Sequence, residues 1–350
     1  MLIFTNRELD TARTDIGAFG RAFRPLDSRI AAADVDGNRL VSGHDVSVDQ
    51  DEAHALLVPK FRGNKPVVVY IHGFNNEPIT CLRRCEKLAA MYDVEVVAFA
   101  WPAEGLLSDG GHVPETGDVV MGEDEDSLAA VRPATKKSSG IKGLMRRFRQ
   151  AKFNAEDSVE ALGAFLRVVA AARLRADAQP FTLVAHSLGA HLLHHALRQV
   201  TGVREAAAVA SNVALLAPCV RAAGHDEWVQ LLRPTRRTYI TFAQADHVLE
   251  GARWADGDVK LGVNPGKKLL AAPAFRYVCF TGTNAGAGAH RYFIESTDGR
   301  DQTLFRRIFR SEADIRPDEA ETKVYQAGSS HDGSVFYMGF IPTPDAGGGN

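Results

Sequence analysis

The stretch that most constrains this chain is Phe181-Thr-Leu-Val-Ala-His-Ser-Leu-Gly189, followed by Ala190-His-Leu-Leu-His-His-Ala-Leu197. An apolar run stops at A-H-S-L-G and a helical pattern begins. That order predicts a strand, a sharp turn and a helix, with Ser187 on the turn and its hydroxyl lifted above a sheet. Such a turn needs small residues two before and two after the serine, because the strand and helix backbones nearly touch. Ala185 and Gly189 meet that need. The competing reading of Ser187 is a helix cap, a common post for serine.

Further apolar runs lie at 67–71, 94–100, 213–217, 239–243 and 277–280, with earlier ones at 2–5 and 55–58. They are continuous rather than alternating, as strands buried on both faces are. Helical patterns lie between several of them, at 77–91, 155–174 and 190–200. In the second, Asn154 is positioned as a cap, and Val159, Leu162, Phe165, Leu166 and Val169 share one face. Alternating strands and helices predict a mostly parallel central sheet with helices on both faces.

The expected organisation is one α/β domain over residues 1–311, interrupted by an insertion at about 104–152. The insertion has Gly-rich and acidic stretches, then a basic run in which Ile141, Leu144, Met145 and Phe148 recur at helical spacing. It reads either as a disordered loop ending in a short surface helix or as a lid, or a patch that touches an anionic surface. Residues 312–350 form an extension with an expected β-hairpin around the Asp332-Gly333 turn and a disordered tail. A helix is expected at 303–311.

Net charge is −2 over 350 residues, which gives no reason to expect nucleic acid as a partner. Cys81, Cys85, Cys219 and Cys279 are too few for a disulfide framework. Cys81 and Cys85, one helical turn apart, read as core-facing thiols. No signal peptide or long apolar span is evident, so the expected compartment is the cytosol, without stable membrane insertion. Oligomeric state is not legible.

A serine hydroxyl attacks at neutral pH only if a base takes its proton and a third group orients that base. In this architecture the partners follow in the order Ser, Asp or Glu, His. Asp246 follows the apolar run 239–245, at the strand end where open α/β sheets carry their sites. His247 beside it would point elsewhere. His290 lies in the loop leaving the run 277–280 and is the favoured base. His331, in the expected hairpin turn, takes the role if that hairpin is the last sheet strand. Oxyanion donors are expected from the N–H groups of Leu188 and Phe74, the latter in the loop His72-Gly-Phe-Asn-Asn76, with help from the side chain of Asn75 or Asn76. His191 and His195 are four apart on the helix behind the serine, a spacing also seen in metal sites. Without an intervening Glu they read as packing residues. No metal, nucleotide or other cofactor is expected, and the expected partner is a small acyl substrate.

These residues resemble the α/β-hydrolase superfamily and, within it, the bacterial alpha/beta hydrolase family of unknown function numbered 900. Phe4-Thr-Asn-Arg7 is similar to that family's opening T-N-R strand, and Val69-Tyr-Ile-His-Gly-Phe-Asn-Asn76 to its H-G-[YF]-N-N segment. Phe99-Ala-Trp-Pro102 resembles its S-W-P segment, and Ala185-His-Ser-Leu-Gly189 its A-H-S-[ML]-G elbow. Leu216-Ala-Pro218 resembles its A-P-D segment, with Cys219 in place of the Asp. Asp246-His-Val-Leu249 is similar to its D-x-x-L acid, Leu261-Gly262 to its R-L-G, and His290-Arg-Tyr-Phe293 to its H-S-Y-[FY] histidine. The resemblance implies a serine hydrolase, most naturally of carboxylic esters, with Ser187, Asp246 and His290 as triad. It implies a mechanism and no particular substrate. The same machinery would serve thioesters or amides. A chain that keeps the fold without catalysis and binds a partner is the reading from another class.

Overall fold

The structure, a computed structural model, describes residues 1–10, 12–37, 39–46, 50–112, 139–271, 273–283, 290–312, 328–330 and 332–339. The chain opens with β1 (Leu2–Thr5), β2 (Arg7–Leu9), β3 (Phe19–Phe23), β4 (Ile30–Asp36) and β5 (Arg39–Val46). Helix α1 (Gln50–Arg62), β6 (Val67–Ile71), α2 (Pro78–Tyr92) and β7 (Glu95–Phe99) follow. Next come α3 (Ser139–Asp157), α4 (Val159–Ala176), β8 (Phe181–His186), α5 (Leu188–Gln199), α6 (Val203–Ala208) and β9 (Asn212–Leu216). The last part holds α7 (His225–Val229), β10 (Arg237–Phe242), α8 (His247–Asp256), β11 (Phe275–Cys279), α9 (Tyr292–Glu295), α10 (Gly299–Phe309), β12 (Gly328–Ser329) and β13 (Val335–Tyr337).

Eleven of these strands form one sheet in the order β12-β13-β11-β10-β9-β8-β6-β7-β1-β4-β5. From β13 to β1 every neighbouring pair is parallel. The antiparallel strands lie at the two edges, β12 on one side and β4 with β5 on the other. The continuous apolar runs become the central strands. Val67–Ile71 is buried along its whole length, as is Phe181–His186. Each large aliphatic side chain so enclosed stabilises the fold by about 1.5–3 kcal/mol relative to exposure. Helix α4 packs on α1, α5 and α6, while α10 packs on α2, α9 and strands β8 and β9. The fold is the α/β-hydrolase architecture expected from the sequence.

Three expectations change. Residues 55–58 are not a strand but the middle of α1, where Ala53, Leu57 and Phe61 are buried at helical spacing. The helix expected over 155–174 with Asn154 as its cap is α4, which starts later, at Val159. Asn154 lies inside α3, and its amide donates to the carbonyls of Pro102 and Leu106 at 3.0 and 2.8 Å. The expected hairpin does form, as β12 and β13, but β13 pairs with β11 and so extends the main sheet past residue 311. Residues 113–138 of the insertion, the tail from 340 on, and His331 lie outside the described residues.

The order of strands positions the site. From β6 the chain moves one way to β7, then returns across β6 to β8. The carboxyl ends of β6 and β8 therefore flank a switch point, where open α/β sheets leave a crevice for ligands.

Candidate active site

Ser187 occupies a single residue between β8 and α5, with φ 52° and ψ −120°. A non-glycine residue held there stores about 1–3 kcal/mol of backbone strain. The strain is held in place by the surroundings. Ser187 N–H donates to Leu216 O at 2.9 Å, and Cys219 N–H donates to Ser187 O at 3.0 Å. The hydroxyl makes no capping bond to the helix, which disposes of the helix-cap reading. Gly189 is required by contact: a Cβ there would stand 2.6 Å from both Ile71 O and His72 O, backbone atoms that cannot yield. Strand β6 and helix α5 are thus pressed together at the turn, as the small residues around Ser187 implied.

Asp246 and His290, 44 residues apart in sequence, meet beyond the ends of β10 and β11. His290 Nδ1 donates to Asp246 Oδ2 at 2.7 Å, and both side chains are 0% exposed. The second carboxylate oxygen caps α8, accepting from Leu249 N–H at 2.9 Å. The carboxylate is therefore fixed at both oxygens, and its partner imidazole carries its proton on Nδ1 and its lone pair on Nε2. Burial pushes the Asp246 carboxyl up, and His290 opposes that. His247, next in sequence, is exposed, as expected of a residue pointing away. His186 is buried and lies against His290, ring centroids 4.9 Å apart. Burial, then the neighbouring His290, pushes the His186 imidazole well down, so it stays neutral.

The loop after β6 is braced from several sides. His72 Nδ1 donates to Gly73 O, and its Nε2 accepts from Trp101 N–H at 3.1 Å. Trp101 Nε1 returns a bond to His72 O at 2.8 Å, and the two rings stack. Burial pushes His72 down to about 3, consistent with a neutral ring that accepts. Asn75 adopts positive φ (53°), a conformation that Asn tolerates, and its N–H donates to Ala103 O at 2.9 Å. The Asn76 amide donates to Gly73 O and Phe74 O. These bonds stiffen the loop, in which Asn75 or Asn76 was expected at most to assist the Phe74 and Leu188 N–H donors. Phe74 is 1% exposed, and Leu188 is the first residue of α5, where an N–H has no partner within the helix. Arg7 of the opening motif reaches under this loop to Glu104 at 2.6 Å and to Trp101 O at 3.2 Å.

The segment of helix α3 reads in the sequence as either a short surface helix ending a disordered loop or part of a lid or surface patch. It is instead packed: Leu144, Phe148, Ala151 and Ala155 are buried. Phe148 meets Phe74 edge-on at 5.4 Å. Arg147 bonds Asn75 Oδ1 and Glu104 O, Arg149 bonds Ala255 O, and Lys152 bonds Asp256. The basic face of α3 thus bridges the β6 loop to α8, the helix that Asp246 caps. Cys81 and Cys85 are buried free thiols on α2, as expected.

Cavities of about 680, 170 and 190 Å³ are present, and none is lined by Ser187, Asp246 or His290. The largest of the three lies on the outer side of α5, around His191, His194 and His195. His194 was not singled out in the sequence; its spacing of three from His191 was the available signal. Among the described residues, no helix is long and apolar enough to cross a membrane.

Residues 50–296 match the model of the family described as alpha/beta hydrolase of unknown function (DUF900). No curated protein sequence matches the chain. Among solved structures, the chain is similar to an esterase from Pyrobaculum calidifontis, in a monoclinic form, at 12% identity and TM-score 0.34, covering 82% of this chain and 83% of that one. A second structure, a hyperthermophilic esterase from the same archaeon, is 12% identical with TM-score 0.31, covering 74% and 90%. The thermophilic carboxylesterase EstE1, cloned from a metagenomic library, is 14% identical with TM-score 0.32, covering 71% and 83%. Likenesses this distant say nothing of substrate. The family match spans well over half of the chain, and the chain belongs to the alpha/beta hydrolase family of unknown function.

Proposed function

We propose that the chain is a serine hydrolase that cleaves a small acyl substrate, a carboxylic ester in the first instance. Ser187 Oγ attacks the acyl carbon as His290 Nε2 takes its proton. The oxyanion is received by the N–H groups of Phe74 and Leu188. His290 then gives its proton to the leaving alcohol. Water, activated by the same imidazole, releases the acid from the acyl enzyme. Asp246 holds the Nδ1–H tautomer throughout and stabilises the imidazolium when it forms. The observation that carries this reading is the 2.7 Å contact between His290 and Asp246, two fully buried groups from separate loops, with the His290 ring 4.9 Å from that of His186, the residue before Ser187 at the elbow.

Thioesters and amides present the same carbonyl to the same groups. A panel of p-nitrophenyl esters, acyl thioesters and anilides, run against wild type and Ser187→Ala, separates them. Turnover of esters that vanishes in the variant supports the reading. Wild type that turns over none of the panel favours a binding protein built on this fold.

A further inference from the structure

The outer face of α5 carries a group of side chains that the proposed hydrolysis does not use. His191, His194 and His195 each present a ring nitrogen, and these three atoms all lie within 4.8 Å of one another. Across the gap stands Glu156 of α3. Its Oε1 is 3.3 Å from His191 Nε2 and 3.8 Å from His195 Nε2. His195 is held by its other nitrogen, which lies 3.0 Å from the Gln199 amide. His194 packs on Trp228, and its buried Nε2 has no hydrogen-bond partner among the described residues. The three histidines line the cavity of about 680 Å³.

We propose that His191, His194 and His195, with Glu156, bind one divalent transition-metal ion of the zinc class. Nitrogens bound to tetrahedral zinc stand about 3.3 Å apart, given Zn–N bonds of about 2.0–2.1 Å, so small side-chain rotations bring these donors into place. Three imidazoles and a carboxylate suit zinc, cobalt or nickel rather than the oxygen-seeking calcium or magnesium. Burial pushes His194 down to about 3 and His195 down to about 4, so both are neutral and able to ligate at neutral pH. Of the cations that line the cavity, Lys152 and Lys260 both bond Asp256, Arg221 lies 3.6 Å from Asp258 and Arg204 bonds the Leu197 carbonyl, while Arg198 acts on both His194 and His195. Gln199 would orient His195 from outside, its amide turned so that the carbonyl oxygen accepts from Nδ1–H. The ion would tie α3, which braces the Phe74–Asn75 loop, to the helix that begins just after Ser187.

The test is titration of the untagged full chain with Co²⁺, followed by visible d–d absorption and then by Zn²⁺ displacement. One Co²⁺ per chain with an intense tetrahedral spectrum is expected, together with a rise in melting temperature on Zn²⁺ addition that EDTA reverses. His194→Gln and Glu156→Gln should each weaken Co²⁺ binding by of the order of a hundredfold or more, and Gln199→Ala by about tenfold. Glu156 is 41% exposed, so its variant should fold even if the His194 variant does not. The proposal fails if no d–d band appears, if both ligand variants bind like wild type, or if a thiolate charge-transfer band shows cysteine ligation. It also fails if inorganic phosphate raises the melting temperature and Zn²⁺ does not.

Discussion

His290 and the His191–His194–His195 group each meet a carboxylate, yet their surroundings differ. The His290–Asp246 contact is 2.7 Å with both partners 0% exposed. The Glu156 contact to His191 is 3.3 Å, and Glu156 is 41% exposed. The first carboxylate is pinned at both oxygens and can do little except orient one ring. The second is open to solvent and shared between two rings. A fully desolvated, singly committed pair suits a base that must keep one tautomer. A looser, multidentate group beside a cavity suits a ligand held from several sides. Depth and the number of partners, more than residue type, separate the two uses of imidazole.

The largest expected effect tests the buried pair. Asp246→Asn should keep the fold while lowering kcat by about four orders of magnitude, because an amide cannot hold the same tautomer. His247→Ala, one residue along and exposed, should stay within about twofold. Steady-state rates on the best ester of the panel decide it. Similar losses in both variants would erase the distinction between the paired and the solvent-facing histidine.

Next in size is the tie between α3 and α8. Lys260 is 2% exposed and bonds Asp256, which also takes Lys152. Asp256→Asn leaves that lysine uncompensated and should cost about 3 kcal/mol in urea unfolding at pH 7. Burial alone would raise the Asp256 carboxyl, but the two lysines outweigh it and the net shift is downward. A depressed carboxyl stabilises the fold above its unfolded value and loses that contribution as pH falls through its folded value. The gap between wild type and variant should therefore be full at neutral pH and close below about pH 4. A gap independent of pH would show that the loss is one of packing. Somewhat smaller is Gly189→Ala, where overpacking against β6 should cost about 1–3 kcal/mol, read by the same unfolding measurement.

The smallest effect is a slope. His72 is buried and His194 and His195 are half-buried, and desolvation holds all three neutral, with folded values pushed down to about 3, 3 and 4. Below about pH 6.5 the unfolded chain binds protons that the folded chain refuses, so stability is full above that pH and falls toward pH 4. Each such histidine contributes at most about 1.4 kcal/mol per pH unit. His194→Gln should flatten the dependence of melting temperature on pH between 6.5 and 4. An unchanged slope would mean that His194 takes its proton in the folded state.

Much of this was legible because the central strands are continuous apolar runs and the turn motifs are short and local. The element that carries Ser187, the end of β10 at Asp246 and the loop to His290 all follow from that. Strand β4 was not anticipated, since Ala31, Ala32 and Ala33 carry little strand preference, and its place depends on pairing with β1 and β5. The run 55–58 misled because four apolar residues fit either element, and only the burial of Ala53 and Phe61 around it marks the helix. The packing of α3 was hidden because its arginines and lysine find partners on distant segments, Asn75, Ala255 and Asp256. His331 was the alternative base if the hairpin proved to be the last strand. The hairpin does join the sheet, and among the described residues it is His290 that meets Asp246.

The central claim is that one serine among those of this chain is a nucleophile made ready by a buried imidazole and carboxylate. Fluorophosphonate labelling with peptide mass mapping tests it most directly. Wild type should carry one adduct, on the peptide that contains Ser187, with none on Ser187→Ala and slow labelling of Asp246→Asn. Equal labelling of all three proteins, or an adduct on another residue, would contradict it.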